Sequence, residues 1–212
     1  MSDMIAEIKK AFEDDNAARV RELLDSNPEL KDLLDEPIAA FDSPPITCVG
    51  SVEMLDVLLA AGADINAKSR WWAGGFGLLH SAEPELASQA IRRGAIVDVH
   101  AAARLNLMER LRELVTDDPK LVHARGGDGQ TPLHFAGSIP VAEFLLAQGA
   151  DIDARDLDHE STPAQHRVRD RQTVARYLVQ RGCKTDILMA AALGDANLVC
   201  KHLDAEPECI RV

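Results

Sequence analysis

The chain has little aromatic character: Phe, Trp and Tyr together make up 4% of its 212 residues, with two tryptophans and one tyrosine. Strand-rich cores draw on aromatic and β-branched side chains, so this scarcity argues against a β-sandwich. Cysteine is sparse as well. Cys48, Cys183, Cys200 and Cys209 form no CxxC pair and no Cys/His set at zinc-finger spacing. They read as unpaired thiols of a reducing cytoplasm. No segment approaches the roughly 18 apolar residues of a membrane span, and the opening MSDMIAEIKK has no secretory apolar stretch. A basic excess is also missing, with 23 Lys and Arg against 35 Asp and Glu and a formal charge of −12. Such a surface repels phosphate backbones and anionic lipid, so neither nucleic acid nor membrane is an expected partner. No nucleophile elbow, Walker A loop, Rossmann glycine pattern or HExxH occurs. No enzymatic activity and no cofactor is expected.

What the chain does contain is leucine, alanine and repetition. Apolar residues make up 46% of the sequence, a composition that favours helices packed closely through small side chains. Residues 44–68 (PPITCVGSVEMLDVLLAAGADINAK) align without a gap on residues 131–155 (TPLHFAGSIPVAEFLLAQGADIDAR). Fragments of the same pattern recur at 77–95 and 162–183. A second unit type reads AFEDDNAARVRELLDSNPEL at 11–30. It returns at 102–122 and 190–210 with Pro28, Pro119 and Pro207 in register. The chain therefore has a superunit of roughly 90 residues, one proline-ended unit followed by two units ending in a GAD-type loop.

Local chemistry agrees with paired helices. Val141, Phe144, Leu145 and Leu146 share one helical face. Gly149 follows at a helix C-terminus, where a left-handed residue is wanted. Thr131 and Pro132 supply a hydroxyl N-cap and a proline at the first helical position. Each helix pair is too small to bury its own apolar face, so stability must come from stacked neighbours.

Thr131-Pro132-Leu133-His134 with Phe135-Ala136, followed by VAEFLLAQGADIDA, resembles the ankyrin repeat. The resemblance covers nearly the whole chain. It is specific in repeats two, five and seven and looser in one, three and four. It implies an all-α solenoid of about seven helix pairs with hairpin-like fingers along one edge. The expected organisation is a single domain over 1–212: a capping repeat at 1–43, internal repeats at 44–68, 69–99, 100–130, 131–161 and 162–185, and a truncated last repeat at 186–212. His80, His134 and His166 match or approximate the TPLH histidine, to which the resemblance assigns a backbone hydrogen bond near the adjacent loop.

Departures from the pattern are informative. Repeats three and five are short, so their first helices are expected to span little more than a turn and a half, interrupted near Pro84 and Pro140. At the N-terminus Ile5, Ile8 and Phe12 form an apolar stripe, with Lys9, Lys10, Glu13 and Asp14 facing away. At the other end Leu193, Leu198, Val199 and Leu203 have no capping repeat. Either a longer array continues beyond Val212, or this face self-associates. The alanines of HAAA (100–103) and MAAA (189–192) read as points of close helix approach.

Several stretches invite a chemical reading. DLDHES (156–161) gathers Asp158, His159 and Glu160, but adjacent loop residues rarely converge on one metal, so a solvated finger is expected. RGGDG (125–129) falls where a finger turn belongs. Arg167, Arg169 and Arg171 read as a solvated or salt-bridged surface. The finger at 68–76 is about three residues longer than standard, since Ala67 to His80 is 13 residues and Ala124 to His134 is 10. The insertion carries Trp71 and Trp72, with Gly74 and Gly75 supplying backbone freedom. The favoured arrangement is one tryptophan packed against the shortened first helix of repeat three and the other exposed.

The expected function is non-catalytic binding of a protein partner through fingers and inner helices. The expected contact residues are Arg70, Trp71, Trp72, Phe76, Asp128, Gln130, Leu157, Asp158 and His159. One alternative is a docking or regulatory module of a longer protein whose activity lies C-terminal to residue 212. A weaker alternative is a small-molecule or metal site in the groove, which requires His80, His134 and His159 to converge within about 5 Å.

Overall fold

A computed structural model describes residues 2–210. It is helical, with no strand among the described residues beyond two isolated bridges, Ala39 with Ser43 and Lys68 with Gly77. The chain divides into two compact units. The first comprises Met1–Ala101 with Gly126–Asp128, the second Ala102–Arg125 with Gly129–Val212.

The first unit holds α1 (Ser2–Glu13), α2 (Ala17–Ser26), α3 (Val52–Ala61), α4 (Pro84–Arg92) and the start of α5 (Val99–Arg104). Within it α1 packs on α2, α2 on α3 and α3 on α4. The second unit holds the rest of α5 with α6 (Met108–Asp117), α7 (Ile139–Ala147), α8 (Pro163–Asp170), α9 (Gln172–Gln180), α10 (Ile187–Ala192) and α11 (Ala196–Ala205). There α7 and α8 pack on α9, α8 on α10 and α10 on α11. Each unit is thus a run of stacked helix pairs, as the all-α repeat reading requires.

Local signals set the helix ends. The Ser51 hydroxyl accepts the Met54 N–H and starts α3. Gly62, at φ 104°, ends it in the left-handed conformation, and Gly149 does the same after α7 at φ 90°. Between its ends α3 buries Met54, Leu55, Val57 and Leu58. Pro28, Pro119 and Pro207 each open a short 3-10 turn directly after α2, α6 and α11.

The first helices of repeats three and five are shorter than the sequence suggests. Leu78–His80 and Pro132–Phe135 are single 3-10 turns, and Pro45–Cys48 in repeat two is another. Pro84 and Pro140 do not interrupt these elements. They lie in the first turns of α4 and α7, where the missing proline N–H has no intrahelical partner to lose. Pro163–Asp170 in repeat six forms a full helix.

The first alanine run behaves as expected: Ala101, Ala102 and Ala103 are fully buried. The Gly137 N–H donates to the Ala103 carbonyl at 3.1 Å. In the second run only Ala190 is buried, and Ala191 and Ala192 are exposed. On α1, Ile8 is buried and Ile5 and Phe12 are half-buried, with Lys10, Glu13 and Asp14 exposed and Lys9 half-buried. Helix α11 has no buried residue, whereas α2 buries Ala17, Val20, Leu23 and Leu24.

Candidate functional site

The long finger of the first unit is closed at its base. The Ser69 N–H donates to the Phe76 carbonyl and the Phe76 N–H to Ser69 Oγ, both at 2.9 Å. Inside this frame the Gly74 N–H donates to the Trp71 carbonyl at 3.0 Å. A side chain at Gly75 would put its Cβ 2.7 Å from the Ser69 carbonyl oxygen, so the loop closes this tightly only with glycine there. The insertion is therefore a built turn that presents Trp71 and Trp72.

One tryptophan is partly covered and the other is not, as favoured from sequence. Trp72 is 68% exposed and Trp71 is half-buried. The ring that meets Trp71 is unexpected, however. Trp71 stands edge-on to Phe41 at 5.5 Å between centroids and tilted to Trp72 at 6.2 Å. Phe41 lies in the preceding segment, where the sequence pointed instead to the shortened first helix of repeat three. Phe41 is itself 67% exposed. Phe41 and Asp42 both have positive φ, 57° and 50°, a sparsely populated backbone for such residues. The Asp42 carbonyl accepts the Arg70 N–H at 2.8 Å, and the Arg70 guanidinium donates to Glu36 at 3.0 Å. The result is an aromatic strip, Phe41–Trp71–Trp72, edged by Glu36, Asp42 and Arg70.

The other expected contact residues have different settings. The ring of Phe76 is half-buried, lies edge-on to His80 at 6.3 Å and covers the Gly127 backbone, where an added Cβ would fall 2.4 Å from it. Gln130 is buried, so its side chain does not sit on the surface where a partner contact was expected. Asp128 is half-buried at φ 55°, in the finger turn expected of RGGDG. In the second unit Leu157 is 57% exposed, although its inner side packs on Gly129. Beside it Asp158 is half-buried and His159 exposed. Among the arginines, Arg171 pairs with Asp170 at 3.9 Å and Arg169 is exposed, as expected, whereas Arg167 departs from that reading: it pairs with Asp170 at 3.4 Å, but its side chain is largely buried and its Nε has no hydrogen-bond partner among the described residues.

His80 and His134 take up the structural role the resemblance implied. His80 Nδ1 accepts the Gly77 N–H at 3.2 Å and Nε2 meets the Asp98 carboxylate at 3.0 Å. That carboxylate also accepts the Ala101 N–H, at the start of α5, and pairs with Lys68 at 3.0 Å. Burial opposes its charge, but the hydrogen bond from His80 and these further donors hold the Asp98 carboxyl well below the usual range. His134 is fully buried. Its Nδ1 accepts the Thr131 N–H at 3.0 Å, and its Nε2 faces the Ser161 carbonyl at 3.1 Å. Burial pushes its pKa down to about 4, so the neutral ring is the stable form.

His166 does not occupy the equivalent place. One repeat on, the Thr162 N–H donates to Gln165 Oε1 at 2.8 Å, and Gln165 Nε2 donates to Asp186 at 2.8 Å. Gln165 therefore fills the histidine slot. His166, one residue later, turns its Nε2 to Asp156 Oδ2 at 2.5 Å. The other Asp156 oxygen accepts the His159 N–H at 2.6 Å. Asp156 is buried at the base of the DLDHES finger, which is thus not simply solvated. Burial raises its pKa, but the His159 N–H and His166 outweigh that and keep the carboxyl below its ordinary value. Of the histidines proposed for a groove site, His134 and His159 both approach His166, with ring centroids at 5.4 and 6.2 Å. His80 belongs to the first unit, beside His100 at 5.8 Å.

Residues 128–157 match the family model of the ankyrin repeat. The chain is similar to the ankyrin repeat and SAM domain-containing protein 6 of Mus musculus, 28% identical over 121 residues that cover 54% of this chain and 14% of that protein. A stretch of 57 residues is 47% identical to the serine/threonine-protein kinase VIK of Arabidopsis thaliana, covering 26% of this chain and 13% of the kinase. The matched region is thus a small part of either relative. Among solved structures, a chain from the complex of a predatory endopeptidase of Bdellovibrio bacteriovorus with an immunity protein is similar at 20% identity and a TM-score of 0.46. That match covers 89% of this chain and 97% of the other.

Proposed function

We propose that this ankyrin-repeat chain is a non-catalytic scaffold that binds a protein partner in the cytoplasm through its fingers and inner helices. Ankyrin repeats are in general protein–protein interaction modules, and the chain's motifs carry that expectation. The observation that supports it most is the strip Phe41–Trp71–Trp72. Phe41 and Trp72, both largely exposed, each pack against the half-buried Trp71 on a frame fixed by backbone hydrogen bonds. An aromatic patch with a polar rim is the usual anatomy of a binding anchor, and its rigidity lowers the entropy lost on association. The rim residues Glu36 and Asp42 are exposed and acidic, although Arg70 pairs with Glu36, and the chain carries a charge of −12. Both features favour a partner with basic groups around an apolar socket, and neither favours nucleic acid or membrane.

In this reading Leu157 and His159 form a secondary contact point on their own finger. A second reading, a docking module within a longer protein, draws on the small share of each curated relative that the match covers. Both readings make the same local prediction. Partners are captured with the wild-type chain and with a Phe41→Ala/Trp72→Ala chain of equal unfolding temperature. A specific partner recovered only by the wild type supports the scaffold role. The same partners at the same yield from both chains overturn it for this strip.

A further inference from the structure

The structure assigns a divalent transition-metal site, with zinc as the representative ion, to Asp156, His159 and His166 in the finger of the second unit. One ligand atom from each lies within 4.8 Å of the other two. Two imidazoles and a carboxylate are a recurring three-residue set for zinc, leaving a fourth position for water or an incoming ligand.

The loop-closing role of the repeat does not require His166, whose ring instead meets the buried Asp156 carboxylate. Its neighbour Gln165 already accepts the Thr162 N–H as His134 accepts that of Thr131, and donates onward to Asp186, so a histidine at 166 is not needed to close the loop. His134 is unsuited to be a ligand, because Thr131 and Ser161 engage its two ring nitrogens. Asp156 is held the way a metal-binding carboxylate is commonly held. Its Oδ1 is fixed by the His159 N–H, which leaves Oδ2 facing His166. The Asp158 carboxylate lies 3.7 Å from His159 Nδ1, an electrostatic neighbour beyond hydrogen-bond distance.

Little movement is required. Ligands on a tetrahedral zinc at about 2.0–2.1 Å sit about 3.3 Å from one another. His166 Nε2 and Asp156 Oδ2, now 2.5 Å apart, must separate slightly. His159 must move in; its side chain is exposed, with the His166 ring 6.2 Å away between centroids. The nearby arginine contacts leave the carboxylate clear: Arg155 donates to the Glu160 carbonyl, and Arg125 to those of Gly129 and Arg155. The similar trio of the first unit, His80, Asp98 and His100, lacks this clearance. There the Lys68 ammonium lies 3.0 Å from the carboxylate, and Asp98 also caps α5.

The test uses the full chain, untagged and stripped with chelator, titrated with zinc chloride by calorimetry and with Co2+ by visible absorption. One ion per chain is expected, with the intense tetrahedral Co2+ bands. His159→Ala removes an exposed ligand, so folding is preserved, and it should weaken zinc binding at least tenfold. His166→Gln should do the same, while His100→Ala and His123→Ala leave binding unchanged. Absence of zinc binding overturns the assignment. So does binding that His159→Ala leaves intact, or binding that is lost on His100→Ala or on alkylation of the thiols.

Discussion

His134 offers the sharpest test of how the repeat is held. Replacing it with alanine removes a fully buried ring that accepts the Thr131 N–H and bonds the Ser161 carbonyl. The Thr131 N–H lies in a buried residue and has no substitute acceptor, which costs about 1–3 kcal/mol. Ser161 is half-buried, so water can replace much of its loss. The vacated volume adds a cavity term of about 1 kcal/mol. His134→Ala should therefore destabilise the chain by about 2–4 kcal/mol, a large fraction of the roughly 5–15 kcal/mol of a typical domain. His134→Gln is the informative partner. Gln165 accepts the equivalent Thr162 N–H in the next repeat, although it donates onward to Asp186 and not to a backbone carbonyl, so glutamine should restore at least half of the loss. Urea unfolding followed by circular dichroism measures both. A cost below about 0.5 kcal/mol for alanine, or a glutamine variant no more stable than alanine, would refute the assignment of this side chain as the buried tie between Thr131 and the finger at Ser161.

Two further predictions concern packing and thiol chemistry. Gly127→Ala places a Cβ 2.4 Å from the Phe76 ring, so the ring must move. The expected cost is about 1–3 kcal/mol, read as a lower urea midpoint, and Phe76→Ala in the same chain should relieve part of it. Burial pushes the Cys183 thiol up to about 11, whereas Cys48 and Cys200 are exposed. At pH 7.5 a maleimide should label Cys48 and Cys200 rapidly and Cys183 only on unfolding. Equal rates at all three would contradict that burial.

The repeat order was legible because it is written in periodic signals. The left-handed glycines 62 and 149, the TP starts and the three prolines of the longer period each mark an element boundary that the structure reproduces. First-helix length was overestimated, since Pro84 and Pro140 were read as interruptions when they begin the next helix. Which of Trp71 and Trp72 is exposed did not follow from the insertion, although a difference between the two did. Phe41 did not follow from it either, because its exposure depends on two left-handed residues in an aperiodic segment. His166 was aligned with the TPLH histidine through residue type. Counting three positions from Thr162, as from Thr131 to His134, reaches Gln165 and would have left His166 unassigned. Its meeting with Asp156 depends on how the finger folds back on the next helix, which spacing alone does not reveal.

The central claim is the aromatic strip as a binding anchor. The direct measurement is the affinity of a purified partner for the wild-type chain and for Trp72→Ala, by calorimetry, with unfolding midpoints checked in parallel. Truncating an anchor tryptophan costs about 2 kcal/mol or more, so binding should weaken roughly 30-fold or more with the midpoint unchanged. Affinity equal to wild type in a fully folded Trp72→Ala chain would contradict the anchor.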